Sequence, residues 1–198
     1  MTSIRPLHVL ALALLAQATM ADDAPPADTK ETAGSKPANL IRNGGFEELN
    51  SRGKAAHWIN SQHAGARAYD FRVDGEVARS DNRSLMIRRI RKQVWGKSEQ
   101  LLPVGPEIAG KTVEFEVWAR AEGLGDDGFR IRIGAFSGSM LVDHATVDGN
   151  AREGEWIRQA VRLEIPEHAT RLFAGVTLED EGTIWIDDAR LGVVDASD

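Results

Sequence analysis

Cysteine is absent from the 198 residues, which excludes disulfide scaffolds, thiolate metal sites, cysteine nucleophiles and the acylated cysteine of a bacterial lipoprotein. Basic charge is in deficit. Twenty-four lysines and arginines face 30 aspartates and glutamates, a net of −6, so no global positive field exists to hold nucleic-acid phosphates or anionic lipid. Nucleic acid is therefore not an expected partner. There is no H-E-x-x-H, and His57, His63, His144 and His168 lack zinc spacing. GAFSGSM at 134–140 misses the G-x-S-x-G elbow and reads as a loop. No segment of helical length carries a clean apolar stripe. What is present is glycine, 19 residues of it, with five tryptophans and a single tyrosine, a balance of turns and large anchors that favours β structure.

The amino terminus reads as an address. Arg5 gives a positive start, the run from Leu7 through Leu15 is apolar, and small residues follow at Ala16, Ala18 and Ala21, which together match a cleaved secretory signal over residues 1–21. The run is too short to cross a bilayer, so no membrane span is expected after cleavage. Export to the periplasm or outside the cell follows. Residues 22–38 hold three of the seven prolines and no apolar face, and read as a disordered tether. The folded domain is then expected over residues 39–194, with a polar tail at 195–198.

Within that domain the apolar pattern has period two. Val113, Phe115, Val117 and Ala119 share one parity, while Glu114, Glu116, Trp118 and Arg120 share the other, as in a half-buried strand. GFRIRIGAF repeats the pattern, with Phe129, Ile131 and Ile133 inward and Arg130 and Arg132 outward. Further strands are expected in AYDFRV, SLMIRRI, SEQLLP, WIRQAVRLEIP, TRLFAGVTLE and TIWIDDARLGVV, and near residue 40 in NLI. The fold class is all-β: a two-sheet antiparallel β-sandwich, either a jelly roll or an immunoglobulin-like arrangement.

Several motifs then occur in a set order: NLIRNGGFEE, Trp58, NRSLMI, Trp95 followed by Gln100, Leu101 and Leu102, GKTVEFEVWARAE, GEWIRQAVRLEIPEHAT and GTIWIDDARL. Together they resemble the galactose-binding-domain-like jelly roll, in particular the carbohydrate-binding modules of bacterial xylanases and glucanases. In a sandwich the terminal strands often lie close, so Glu47 and the Asp187-Asp188 pair are candidate oxygen ligands for calcium, the alternative being an empty or salt-bridged end. The resemblance implies a structural calcium held by Gly45, Glu47, Ser80, Arg83 and Asp187, with Arg83 contributing only its carbonyl.

A sugar site combines a stacking aromatic with a few charged or amide partners. The face carrying Glu114, Glu116, Trp118 and Arg120, joined by Arg130 and Arg132 on the following strand, has that composition, and Trp58 and Trp95 sit where a platform can form. Each tryptophan also reads as core or edge packing, and the charged face as cross-strand Glu–Arg pairing. Glu114 and Glu116 are two residues apart on one strand face, roughly 7 Å, a separation that glycoside hydrolysis permits. Arginine neighbours would keep both ionised and remove the proton donor, so catalysis is not expected. The basic run Arg88, Arg89, Arg91 and Lys92 reads either as an attractor of an acidic polysaccharide or as the charged outer face of an edge strand. The expected function is an exported, non-catalytic module that binds a polysaccharide or glycan. A periplasmic protein-interaction domain on the same fold is the alternative, and a small glycoside hydrolase or lyase the third.

Overall fold

The computed structural model describes residues 38–194. The expected signal peptide, the tether except Ala38, and the polar tail lie outside the described residues. Ten strands follow in chain order: β1 Ile59–Gln62, β2 Tyr69–Asp74, β3 Ser84–Arg89, β4 Gly96–Pro103, β5 Thr112–Glu122, β6 Phe129–Ser137, β7 Met140–Asp148, β8 Ile157–Glu164, β9 Arg171–Leu178 and β10 Thr183–Val193. They form two five-stranded antiparallel sheets, a first in the order β1-β4-β9-β6-β7 and a second in the order β2-β3-β10-β5-β8. The protein is an all-β sandwich, and no helix occurs among the described residues.

Strict alternation makes each central strand amphipathic, so the two sheets can bury facing sides against one another. Val113, Phe115, Val117 and Ala119 of β5 and Ile131 and Ile133 of β6 are almost wholly buried, as are Leu172, Ala174 and Val176 of β9. Two strands escaped the period-two reading. In β7 every residue is exposed or half-buried, and β1 is a short polar stretch. Both are edge strands of the first sheet, and neither buries a residue, so no apolar face alternates along them. GAFSGSM is likewise not one loop. Its first residues complete β6, and Gly138, at φ 62°, turns the chain into β7.

NLI near residue 40 is not a strand, although it is tied down as one would be. The Leu40 amide donates to Leu191 O at 2.8 Å, and Asn39 reaches Ala189 O and the Leu191 amide at 3.1 and 3.0 Å. Asn39 thus replaces ladder bonds with side-chain ones, which turns the segment away from regular pairing. Gly44 O accepts from the Ala189 amide at 2.9 Å. A Cβ at Gly44 would lie 2.1 Å from Ala189 O, so only glycine lets the first segment approach β10 this closely. Gly44→Ala is expected to destabilise the domain by about 1–3 kcal/mol, read as a lower midpoint in urea unfolding. A midpoint equal to the parent's would contradict this packing.

Candidate functional site

The outer face of the second sheet carries the Glu114, Glu116, Trp118 and Arg120 set. Register places Glu114 opposite Arg162, and Trp118 between Arg158 and Asp187. The carboxylates are engaged. Arg158 pairs with Glu114 at 2.8 Å and Glu116 at 2.5 Å, Arg162 pairs with Glu114 at 2.7 Å, and Arg190 approaches Glu116 at 3.4 Å. The hydrogen bond that Arg158 donates to Glu116 is the main cause holding its guanidinium above its usual pKa. Trp118 is covered too, because the Arg79 guanidinium lies 3.8 Å above its ring centroid. Arg120 pairs with Glu122 at 2.8 Å. Beside it, buried Trp185 donates Nε1–H to Asp74 Oδ2 at 2.9 Å. This face is a pairing network with its one half-buried aromatic capped.

Arg130 and Arg132 do not join that face. β6 belongs to the first sheet, so these arginines lie on the opposite side of the sandwich from Glu114 and Glu116. Alternation assigns a residue to the inside or outside of its sheet, but a short glycine-rich link between strands serves a hairpin and a sheet-to-sheet crossing equally well. Trp58 also departs from expectation. It is 7% exposed, its ring centroid lies 5.0 Å from that of Phe46, and its Nε1–H bonds to Asn43 O at 3.1 Å. It anchors the NGGF turn inside the core and offers no stacking surface.

The outer face of the first sheet gathers what remains of the expected site with residues the sequence reading passed over. Trp95 leads into β4, where Lys97, Glu99 and Leu101 share its parity. On β9 Phe173, Gly175 and Thr177 face the same way, and on β6 Arg130, Arg132, Gly134 and Phe136 do so. Glu99, Gly175 and Arg132 form one row across three strands. A Cβ on Gly175 would lie 2.4 Å from Ser98 O and 2.5 Å from Glu99 Cβ, so the middle of that row is buried backbone that β4 approaches closely, with an acid on one side and a base on the other. Half-buried Trp95 is braced by the His63 ring at 5.9 Å, edge-on, and by Lys97 at 5.6 Å. Lys97 in turn pairs with Glu99 at 2.6 Å. Arg130 pairs with Asp148 at 2.8 Å and with Glu179, and those two acids, Asp148 first, raise its pKa. Leu101 is 48% exposed. The shared parity of Trp95, Lys97 and Glu99 was visible in the sequence; the proximity of β9 was not.

The expected metal residues surround one loop. Asp187 is fully buried, accepting at Oδ2 from the Arg79 and Ser80 amides at 2.9 and 3.1 Å and at Oδ1 from the Asp188 amide at 2.8 Å. Burial pushes its carboxyl up to about 6, against those three N–H donors that lower it. Glu47 Oε1 accepts from the Asn82 amide at 2.9 Å, and Oε2 lies 3.4 Å from Arg83 Nη1. The Gly45 Cβ position is 3.9 Å from Asp81 Oδ2. No group of three or more histidines and carboxylates poised for a metal occurs among the described residues. Two carboxylates with backbone carbonyls nonetheless suit a hard cation in kind, and a buried carboxyl with a raised pKa gains from one. Arg79, paired with Asp188, and Arg83 supply positive charge to the same end. In the basic run, Arg88 pairs with Asp70 at 3.6 Å and Arg89 with Asp180 at 2.8 Å, while Arg91 and Lys92 are exposed.

No family model and no curated protein matches the sequence. Solved structures do, and they share the jelly-roll β-sandwich of carbohydrate-binding modules, those of families 4, 22 and 61 among them. The C-terminal family 22 module of Clostridium thermocellum Xyn10B is 23% identical, with a TM-score of 0.51 over 80% of this chain and 96% of that one. A cyclase from Fischerella sp. TAU is 14% identical, with a TM-score of 0.60 over 80% and 98%. The enzymatically active domain of tailspike protein 4 from bacteriophage CBA120 is 15% identical, with a TM-score of 0.62 over 79% of this chain. This chain spans only 21% of that tailspike domain. The fold is therefore that of a carbohydrate-binding module, and it is shared with enzymes.

The buried Trp185–Asp74 bond generates a direct test. Trp185→Phe keeps an aromatic side chain but removes the indole N–H that Asp74 Oδ2 accepts from, at a cost of about 1–3 kcal/mol. Trp118→Phe, on the same face but without such a bond, serves as reference. Equal urea midpoints for the two variants would contradict the assignment.

Proposed function

We propose that the protein is an exported, non-catalytic module that binds a polysaccharide or glycan on the outer face of its first sheet. The observation that carries this reading is the outward side shared by Trp95, Lys97, Glu99 and Arg132: a half-buried, braced indole with an ammonium, a carboxylate and a guanidinium on the same rigid sheet face. A sugar ring has apolar C–H faces ringed by hydroxyls, so it needs an aromatic surface and a few fixed polar groups around a shallow floor. Rigid strands supply those groups without the ordering cost that mobile loops would carry. The opposite face is the weaker candidate because its carboxylates and its half-buried tryptophan are already covered.

The same pairing argues against catalysis. Glu114 and Glu116 are both engaged in ion pairs with Arg158, Arg162 and Arg190, so neither is presented free to the two sides of a glycosidic bond. Since cyclase and tailspike domains share the fold, the absence of catalysis rests on this pairing and not on architecture. Gel retardation of the purified domain in a panel of neutral and acidic polysaccharides tests the binding reading. One or more polymers are expected to retard it, with Trp95→Ala and Arg132→Ala each weakening retention about tenfold, and Trp118→Ala leaving it unchanged. Silence across the panel would shift the function to a protein partner in the periplasm. Release of reducing sugar that stops in Glu116→Gln would overturn the non-catalytic reading.

Calcium, in this reading, is a structural cofactor. Gly45, Glu47, Ser80, Arg83 and Asp187 would hold it, and its contribution is positive charge at the buried carboxylate that joins β10 to the loop before β3. A ligand bound only by the native state raises its stability. Saturating calcium is expected to raise Tm above the chelator-treated value, and Asp187→Ala to abolish the difference. Identical melting with calcium and with chelator would remove the metal from the proposal.

A further inference from the structure

Resting on the assignment of glycan binding to the first sheet, we infer that the glycan is acidic, and that its carboxylates are read by Arg132 and Arg171. The starting point is a difference in how the two faces treat their arginines. On the second sheet Arg72, Arg88, Arg120, Arg158 and Arg162 each have a carboxylate partner. Among the described residues, Arg42, Arg52, Arg91, Arg132 and Arg171 have no carboxylate in ion-pair reach. Of these, Arg132 and Arg171 stand on strands, and both strands belong to the first sheet.

Each lies instead over a phenylalanine ring: Arg132 is 5.4 Å from the centroid of Phe173, and Arg171 is 5.7 Å from that of Phe136. Those rings adjoin, with centroids 5.8 Å apart. Phe173 sits opposite Gly134, where an added Cβ would come within 2.4 Å of the ring. Glycine at 134 therefore lets Phe173 lie down against the sheet, and the ring becomes a support for the guanidinium. Arg171 is further fixed by a 2.5 Å hydrogen bond to Gly138 O. A guanidinium resting on an aromatic ring keeps a planar fork of N–H donors, and that fork matches a carboxylate in two parallel bonds. Arg132 is opposite Gly175 while Arg171 is opposite Phe136, four positions along β9, so the backbone positions that bear the two arginines are roughly 13 Å apart along the strands. That spacing suits a polymer with repeated carboxylates better than a single small anion.

The acids on this face are offset in part. Glu99 is neutralised by Lys97, and Asp148 and Glu179 share the single positive charge of Arg130. Exposed Arg91 and Lys92 add unpaired positive charge on the loop that leads to Trp95. A net-negative protein repels polyanions at long range, so attraction has to be local, and binding should fall as salt rises.

The test compares polymers that differ only in charge: polygalacturonate and alginate, each against its neutral ester, with xylan and galactan as neutral references. Isothermal titration or gel retardation is run with the parent and with an Arg132→Gln, Arg171→Gln double variant, and thermal melting verifies that the variant folds. The free acids are expected to bind at least about tenfold more tightly than their esters. The double variant should lose that preference at unchanged Tm. A double Arg→Lys variant, which keeps charge but not the fork, should fall between. Equal binding of acids and esters, or an acid preference that survives the double Gln variant, overturns the inference while glycan binding stands. If none of the six polymers binds, the glycan assignment falls with it.

Discussion

The crossing between β5 and β6 decides what each face of the molecule can do. Residues 123–128 carry the chain from one sheet to the other instead of closing a hairpin. The link is tightly specified. Gly123 and Gly128 have φ of 61° and 55°, in the region where side-chain-bearing residues are strained. Asp180, at the exit of β9, holds the link from the other side: its Oδ2 accepts from the Asp127 amide at 3.0 Å, and its Oδ1 pairs with Arg89. Those backbone bonds, from Asp127 first, keep the Asp180 carboxyl below its usual pKa. A Cβ at Gly125 would meet Asp180 Oδ2 at 2.2 Å. Because of this crossing, two consecutive strands with the same apolar alternation present their outward charges on opposite sides of the sandwich.

The consequence is a division between a satisfied face and an unsatisfied one. On the second sheet glutamates and arginines alternate across β8, β5 and β10 and pair with one another, as cross-strand neighbours of opposite charge do. Such exposed pairs contribute little stability each, but they occupy the groups a ligand would need. On the first sheet the central strand β9 turns Phe173, Gly175 and Thr177 outward, buried beneath their neighbours and uncharged, so none of them forms an ion pair with the charged residues of β4 and β6. There the acids Glu99, Asp148 and Glu179 are paired, while Arg132 and Arg171 rest on phenylalanine rings.

Much of the fold was legible, and the reasons are specific. Val113 through Ala119 and Phe129 through Ile133 alternate because each strand has one side in the core, so parity alone gave their faces. Asn39, Gly44, Glu47 and Asp187 also meet as their positions at the two ends of the domain suggested, since the first segment bonds to β10 and both acids hold the 79–83 loop. The site was less legible. Partnering across sheets depends on long-range order, and neither spacing nor composition encodes that β6 lies beside β9 and not β5. Trp58 was ambiguous for a related reason: in sequence its ring is an aromatic near a loop, and only the Asn43 carbonyl and the Phe46 ring show that it points inward. Strands β1 and β7 were missed because none of their residues is buried, so no apolar face recurs at every second position.

The central claim is that the first sheet's outer face, not the second's, meets the ligand. Amide chemical-shift mapping by NMR, with a soluble oligogalacturonide titrated into the labelled domain, addresses it most directly. The expected result is a set of shifted amides running through Lys97, Glu99, Arg132, Gly134, Phe173 and Gly175, with β8 unmoved. Shifts concentrated at Glu114–Arg120 and Ile157–Glu164 would contradict it.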